Sequence, residues 1–249
     1  MKKFITCLLL FLCGCQTITV PPEFEYKEIQ TSTFKLATWQ KITRPNLPYK
    51  IYIEGDGAAF RADGSVSYDP TPRGILLREI AYGDTHPNVI YLARPCQYVR
   101  DDRCEPKYWS TARFADEVIQ AEYEAVKSVC ALRPVTLVGF SGGAQIAGLL
   151  AVKYSDIKIQ KLVTIAGNLD VKSWTDHHQV TPLTLSDDLA KHRTEYAKFN
   201  QIHYVGTEDN NIVPFITENF VSDKNKIKYI KNASHNKGWE ASFDMIRAE

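Results

Sequence analysis

Val135-Thr136-Leu137-Val138-Gly139-Phe140-Ser141-Gly142-Gly143-Ala144 is the stretch on which the reading of this chain turns. Its first half is an apolar, β-branched run that reads as a buried strand, Val135–Phe140. The helix Ala144–Lys153 follows at once, so Gly139-Phe140-Ser141-Gly142-Gly143 joins strand to helix. Small residues on both sides of Ser141 allow a sharp, strained turn that lifts the hydroxyl clear of a sheet. The same turn puts the Gly142 N–H at a helix N-terminus, where negative charge is favoured. A phosphate loop does not fit, because no Lys-Ser/Thr pair follows and Gly-x-Gly-x-x-Gly is absent.

Working outward, short apolar strands alternate with helices. Strands are expected at Phe34–Trp39, Tyr49–Glu54, Val89–Ala93, Leu162–Ala166, Ile202–Val205 and Ile227–Ile230. Between them, Ala115–Cys130 sets Val118, Ala121, Ala125 and Val129 on one helical face. Such alternation predicts an α/β fold, a mostly parallel central sheet with helices on both faces. Residues Val171–Asn200, after the strand 162–166, break the pattern and read as a small insertion over one sheet edge. A length of 249 residues suits one large domain, and no internal repeat or second boundary is visible. Lys+Arg 30 against Asp+Glu 29 gives a net charge of +1, which argues against a nucleic-acid partner. No apolar run reaches the roughly 18 residues needed to span a bilayer.

The N-terminus reads as an address. Lys2 and Lys3 precede the apolar stretch Phe4–Cys13, which fits the core of a secretory signal. The junction Leu12-Cys13-Gly14-Cys15 resembles the bacterial lipobox. That resemblance implies cleavage before Cys15 and lipid on its thiol and new amino group, hence a membrane partner reached through the anchor. Residue 16 is Gln, not Asp, so the expected place is the outer membrane, facing the periplasm. The expected organisation is a signal peptide over 1–14, a lipidated tether over 15–31 and one domain over 32–249. In an oxidising compartment a Cys96–Cys104 bridge across a short polar loop is expected, with Cys130 buried and free; three free thiols are the alternative. The cysteine spacings match no zinc pattern.

Strand, Gly-x-Ser-x-Gly, helix, then an acid and a histidine together resemble the α/β-hydrolase fold, over about residues 33 to 249. In that family the triad runs Ser, acid, His along the chain. The resemblance implies Ser141 as nucleophile. It implies Asp209 as acid, in Gly206-Thr207-Glu208-Asp209 ahead of Val213-Pro214, with Glu208 and Asp170 as competitors. The base it implies is His235, in Asn232-Ala233-Ser234-His235-Asn236 beyond the last strand. Of the other histidines, His203 lies within a strand, His86 on the wrong edge, and His177, His178 and His192 in the insertion. For the oxyanion hole the resemblance implies the backbone N–H groups of Gly142 and Asp56, with Gly57 as the alternative to Asp56. The family often has His-Gly in that second turn, where this chain has Glu54-Gly55.

The expected activity is that of a periplasmic serine ester hydrolase working through an acyl-enzyme, with neither cofactor nor metal. The expected partner is a small-molecule or cell-envelope acyl substrate. A peptidase or acyltransferase on the same triad, and a non-catalytic envelope binding protein, are the competing readings. The loops Tyr68–Pro72 and Arg94–Tyr98, with Trp174 and Pro182-Leu183, resemble a group of bacterial lipoprotein hydrolases. Arg94 and Arg100 read equally as binders of an acidic group and as loop fasteners. The insertion is too short for a large lid.

Overall fold

In the computed structural model, whose described residues are 18–249, eight strands make one mixed sheet. They are β1 (Glu25–Gln30), β2 (Lys35–Ile42), β3 (Tyr49–Ile53), β4 (Asn88–Leu92), β5 (Val135–Phe140), β6 (Ile159–Ile165), β7 (Gln201–Gly206) and β8 (Ile227–Ile230). Their spatial order is β1-β2-β4-β3-β5-β6-β7-β8. β1–β2 and β2–β4 are antiparallel, and every pairing from β4 to β8 is parallel. β3, β4 and β5 are buried at every position, which is why they read as apolar runs without alternation.

Helices cover both faces. α2 (Asp116–Cys130) and α3 (Gly142–Lys153) pack on one. α1 (Leu76–Tyr82) and α7 (Phe243–Arg247) pack on the other. α3 presents no polar face: ten of its residues, Gly142 to Ala151, are buried between the sheet and the elements outside it.

One boundary differs from expectation. The signal peptide and Cys15 lie outside the described residues, but the stretch 15–31 is not a tether throughout, since β1 occupies part of it. Glu25-Tyr26-Lys27-Glu28-Ile29-Gln30 is an edge strand whose side chains stay largely in solvent, so no apolar alternation marks it. Phe24, just before it, is buried with its ring 4.8 Å from that of Tyr82. The domain therefore begins before residue 32.

The insertion forms α4 (Val171–His178), a 3-10 turn (Leu189–His192) and α5 (Arg193–Tyr196). It packs on α3 rather than over a sheet edge. Leu189 presses so closely on α3 that a Cβ at Gly148 would meet its Cδ2 at 2.2 Å. One further helix, α6 (Pro214–Phe220), follows β7. No described helix is long and apolar enough to cross a membrane. Cys96 and Cys104 are joined as a disulfide, and Cys130 is buried and free.

Candidate active site

Ser141 is the first residue past β5 and holds φ 51° and ψ −119°, a backbone region L-residues rarely adopt. The turn can close this tightly because Gly139 and Gly143, two positions to either side, lack side chains. A Cβ on Gly139 would lie 2.5 Å from the Ala144 backbone, and one on Gly143 would lie 2.2 Å from the Ile53 carbonyl.

Asp209 stands in the turn after β7 and is buried. Its Oδ1 accepts the backbone N–H groups of Asn211 (2.8 Å) and Ile212 (2.9 Å), which fixes the carboxylate plane. Its Oδ2 lies 2.9 Å from His235 Nδ1. His235 hangs from the loop after β8, which Trp239 ties down by donating to the Ser234 carbonyl at 2.7 Å. His235 Nε2 lies 3.1 Å from Ser141 Oγ. With a carboxylate at Asp209, Nδ1 carries the ring proton and Nε2 is left to accept from the serine hydroxyl. Phe140 backs the imidazole, ring centroids 5.1 Å apart. The chain Asp209–His235–Ser141 can take a proton from the hydroxyl as it attacks, and return it to a leaving group.

The competing residues are occupied elsewhere. Asp170 caps α4, accepting from Ser173 N at 2.8 Å, and lies 3.5 Å from Arg193. Glu208 is exposed. His203 is buried between Thr164 Oγ1 (2.8 Å) and Gln201 Oε1 (2.9 Å), and burial lowers its pKa to about 3. His178 contacts the Asn211 carbonyl, and His86 the Asn88 backbone.

Gly142 opens α3, so its N–H is one of those without an intrahelical acceptor. Asp56 follows β3 and is brought against it: a Cβ on Gly142 would sit 2.2 Å from Asp56 Oδ1. The Asp56 carboxylate is held by Arg113 Nη1 at 2.7 Å and Arg94 Nη1 at 3.4 Å. Glu54, standing where the resemblance has His, is fully buried. It accepts from Gly55 N and the Tyr91 hydroxyl, and burial still holds its carboxyl above the usual range.

Ser141, His235, Asp56, Glu54 and Arg113 line a cavity of about 440 Å³, with Leu77, Phe60, Trp174 and Asn236 among its walls. Arg94 and Arg100 turn out to be fasteners. Arg94 is buried and donates to the Arg113 carbonyl, while Arg100 donates to the Tyr68 carbonyl at 2.7 Å. Arg113 and Glu54 escaped the sequence reading as site residues. No group of His, Cys, Asp and Glu suited to a metal ion occurs among the described residues.

No family model matches the chain, and no curated protein does. Solved structures are similar in fold. An α/β serine hydrolase without a lid from Xanthomonas campestris is 12% identical over 93% of this chain and 94% of that one, with TM-score 0.52. An esterase from Pyrococcus furiosus is 14% identical over 90% of each chain, with TM-score 0.61. An α/β serine hydrolase homologue from Coxiella burnetii is 13% identical over 94% of this chain and 97% of that one, with TM-score 0.56. Strand order, the turn at Ser141 and these likenesses agree: the chain has the α/β-hydrolase fold.

Proposed function

We propose that the chain is a serine hydrolase that cleaves an ester or related acyl bond. The observation that carries the reading is the position of His235, within hydrogen-bond reach of both Ser141 Oγ and the buried Asp209. Ser141 Oγ attacks the carbonyl carbon while His235 Nε2 takes its proton. Asp209 holds the ring and stabilises the imidazolium. The N–H groups of Gly142 and Asp56 meet the oxyanion, each donor being worth roughly 3 kcal/mol. Collapse expels the alcohol, which takes the proton from His235 and leaves acyl-Ser141. Water, deprotonated by the same nitrogen, then releases the acid.

The test is labelling by a fluorophosphonate together with hydrolysis of p-nitrophenyl acetate. Wild type should react in both, and Ser141→Ala should lose the label and at least roughly 10⁴-fold in kcat. A folded Ser141→Ala that kept a tenth of the rate would overturn the mechanism. Wild type inert to both reagents would favour a non-catalytic binding protein, and preference for amides in a matched panel would favour a peptidase.

The cell-envelope placement belongs to the same proposal. Its support is the lipobox-like Leu12-Cys13-Gly14-Cys15 after a short apolar run. Mass spectrometry of the membrane fraction should find an acylated Cys15 as the first residue. Full membrane attachment of Cys15→Ser would defeat it.

A further inference from the structure

Arg113 lines the same cavity as Ser141 and His235 although its side chain is almost wholly buried. Its guanidinium carbon lies 5.5 Å from the ring centre of Phe60 and 5.6 Å from that of Trp174, so aromatic faces flank it. Nε donates to the Ser110 carbonyl at 2.7 Å and Nη1 to Asp56 at 2.7 Å. Nη2 has no acceptor among the described residues. A guanidinium fixed at two nitrogens, with the third unengaged, is preorganised for an incoming oxyanion.

The charge around it is unbalanced in the direction such a ligand needs. Two guanidiniums, Arg113 and Arg94, converge on the single carboxylate of Asp56. The other carboxyl of the cluster is Glu122 on α2, whose Oε1 lies 3.3 Å from Arg94 Nε. That contact attracts but is not aligned as a hydrogen bond, and neither Glu122 oxygen has a partner. Burial outweighs the attraction of Arg94 and pushes the Glu122 carboxyl up to about 8, so it is mainly neutral at pH 7. Arg73 adds an exposed cation to the cavity rim. The remaining charged wall residue, Glu54, is engaged by Tyr91 and Gly55.

We propose that this cavity takes esters bearing a carboxylate, on the acyl or the alcohol portion, and that Arg113, with Arg73 at the rim, recognises that charge. The inference rests on the serine-hydrolase reading. Its effect is specificity: a carboxylate desolvated against Arg113 gains a charge-assisted hydrogen bond that a neutral ester lacks.

Two matched pairs test it, each rate divided by the spontaneous one. Mono-p-nitrophenyl glutarate against its methyl ester places the charge on the acyl side. 4-Acetoxybenzoate against its methyl ester places it on the alcohol side. In one pair, wild type should favour the anion by about tenfold or more in kcat/KM. The preference should shrink when NaCl is raised from about 0.02 to about 0.5 M. Arg113→Met should lower the preference about fivefold or more, and the exposed Arg73→Gln by about twofold, which keeps the test available if Arg113→Met misfolds. Ser141-dependent hydrolysis with a ratio near one in both pairs overturns this inference and leaves the function standing. An unchanged ratio in folded Arg113→Met overturns the assignment to Arg113. No hydrolysis of any of the four esters overturns this inference alone if p-nitrophenyl acetate is still turned over, and both readings if it is not.

Discussion

The Asp56 carboxylate lies against the Cα of Gly142, so close that a methyl group on residue 142 would come within 2.2 Å of Oδ1. The two residues proposed to supply the oxyanion hole therefore constrain each other through a side chain as well as through their backbones. Gly142→Ala should keep the fold, since alanine suits a helix, but must push the carboxylate off Arg113 and Arg94. A displacement of about 1 Å at such a site costs on the order of 10²-fold in kcat/KM. Steady-state kinetics on p-nitrophenyl acetate checks this, and a loss under about threefold would contradict it.

Asp209 and Asp170 separate by consequence. Asp209→Asn removes the acceptor that fixes the His235 tautomer and should lower kcat on the order of 10⁴-fold with little change in stability. Asp170→Ala removes the α4 cap and should cost about 1 kcal/mol in stability while kcat stays near wild type. Urea melts and kcat measured on both variants decide, and the reverse pattern would move the acid to Asp170.

His203 sets a pH dependence of stability. Buried in β7, it holds a pKa of about 3 against the ordinary 6.5, so the unfolded chain binds a proton that the folded chain refuses. Stability from this group is complete above about pH 6.5 and is lost as pH falls toward 3, at up to about 1.4 kcal/mol per pH unit. Denaturant melts at pH 7, 6, 5 and 4 should show that slope flattened in His203→Gln. Parallel slopes in the two proteins would refute it.

The Cys96–Cys104 bridge closes a short loop beside Arg94 and Arg100. Replacing both cysteines by serine should cost about 2 kcal/mol. Of Cys96, Cys104 and Cys130, alkylation of unfolded, unreduced protein should mark Cys130 alone. Alkylation of all three would show that no bridge forms.

What the sequence made legible follows from how each residue announces itself. Ser141, Asp209 and His235 each stand just past a strand end in a turn with its own residue signature, so local pattern singles out the three side chains that the fold brings together. Arg113 has no such mark. It lies in an irregular stretch, and its partner Asp56 is 57 positions away, a pairing only the folded chain creates. Glu122 was within reach: four residues after Val118, it falls on the apolar face of α2 that Ala121 and Ala125 define. A carboxylate on that stripe was a signal of a buried charge, unread beside the hydrophobic periodicity. β1 was hidden because its side chains lie largely in solvent, so no apolar alternation marks a strand that the backbone ladder to β2 holds in place.

The burial of Phe24 against Tyr82 also sets where the chain enters the domain. Tyr82 ends α1 ahead of β4, at the end of the sheet opposite the strand ends that carry Ser141 and Asp209. Ile18 already packs against the same cluster as Phe24 and Tyr82, and residue 18 is three positions after residue 15, at most about 10 Å of extended chain. If Cys15 carries lipid as proposed, that leash would hold the domain by its underside, near the bilayer, with the mouth of the cavity at Ser141 turned away from it. Such a mount favours water-borne or wall-borne esters over the lipids of its own membrane, and cleaving the leash should leave the turnover of a soluble ester unchanged. A marked change in that rate on release would mean the mouth faces the membrane instead.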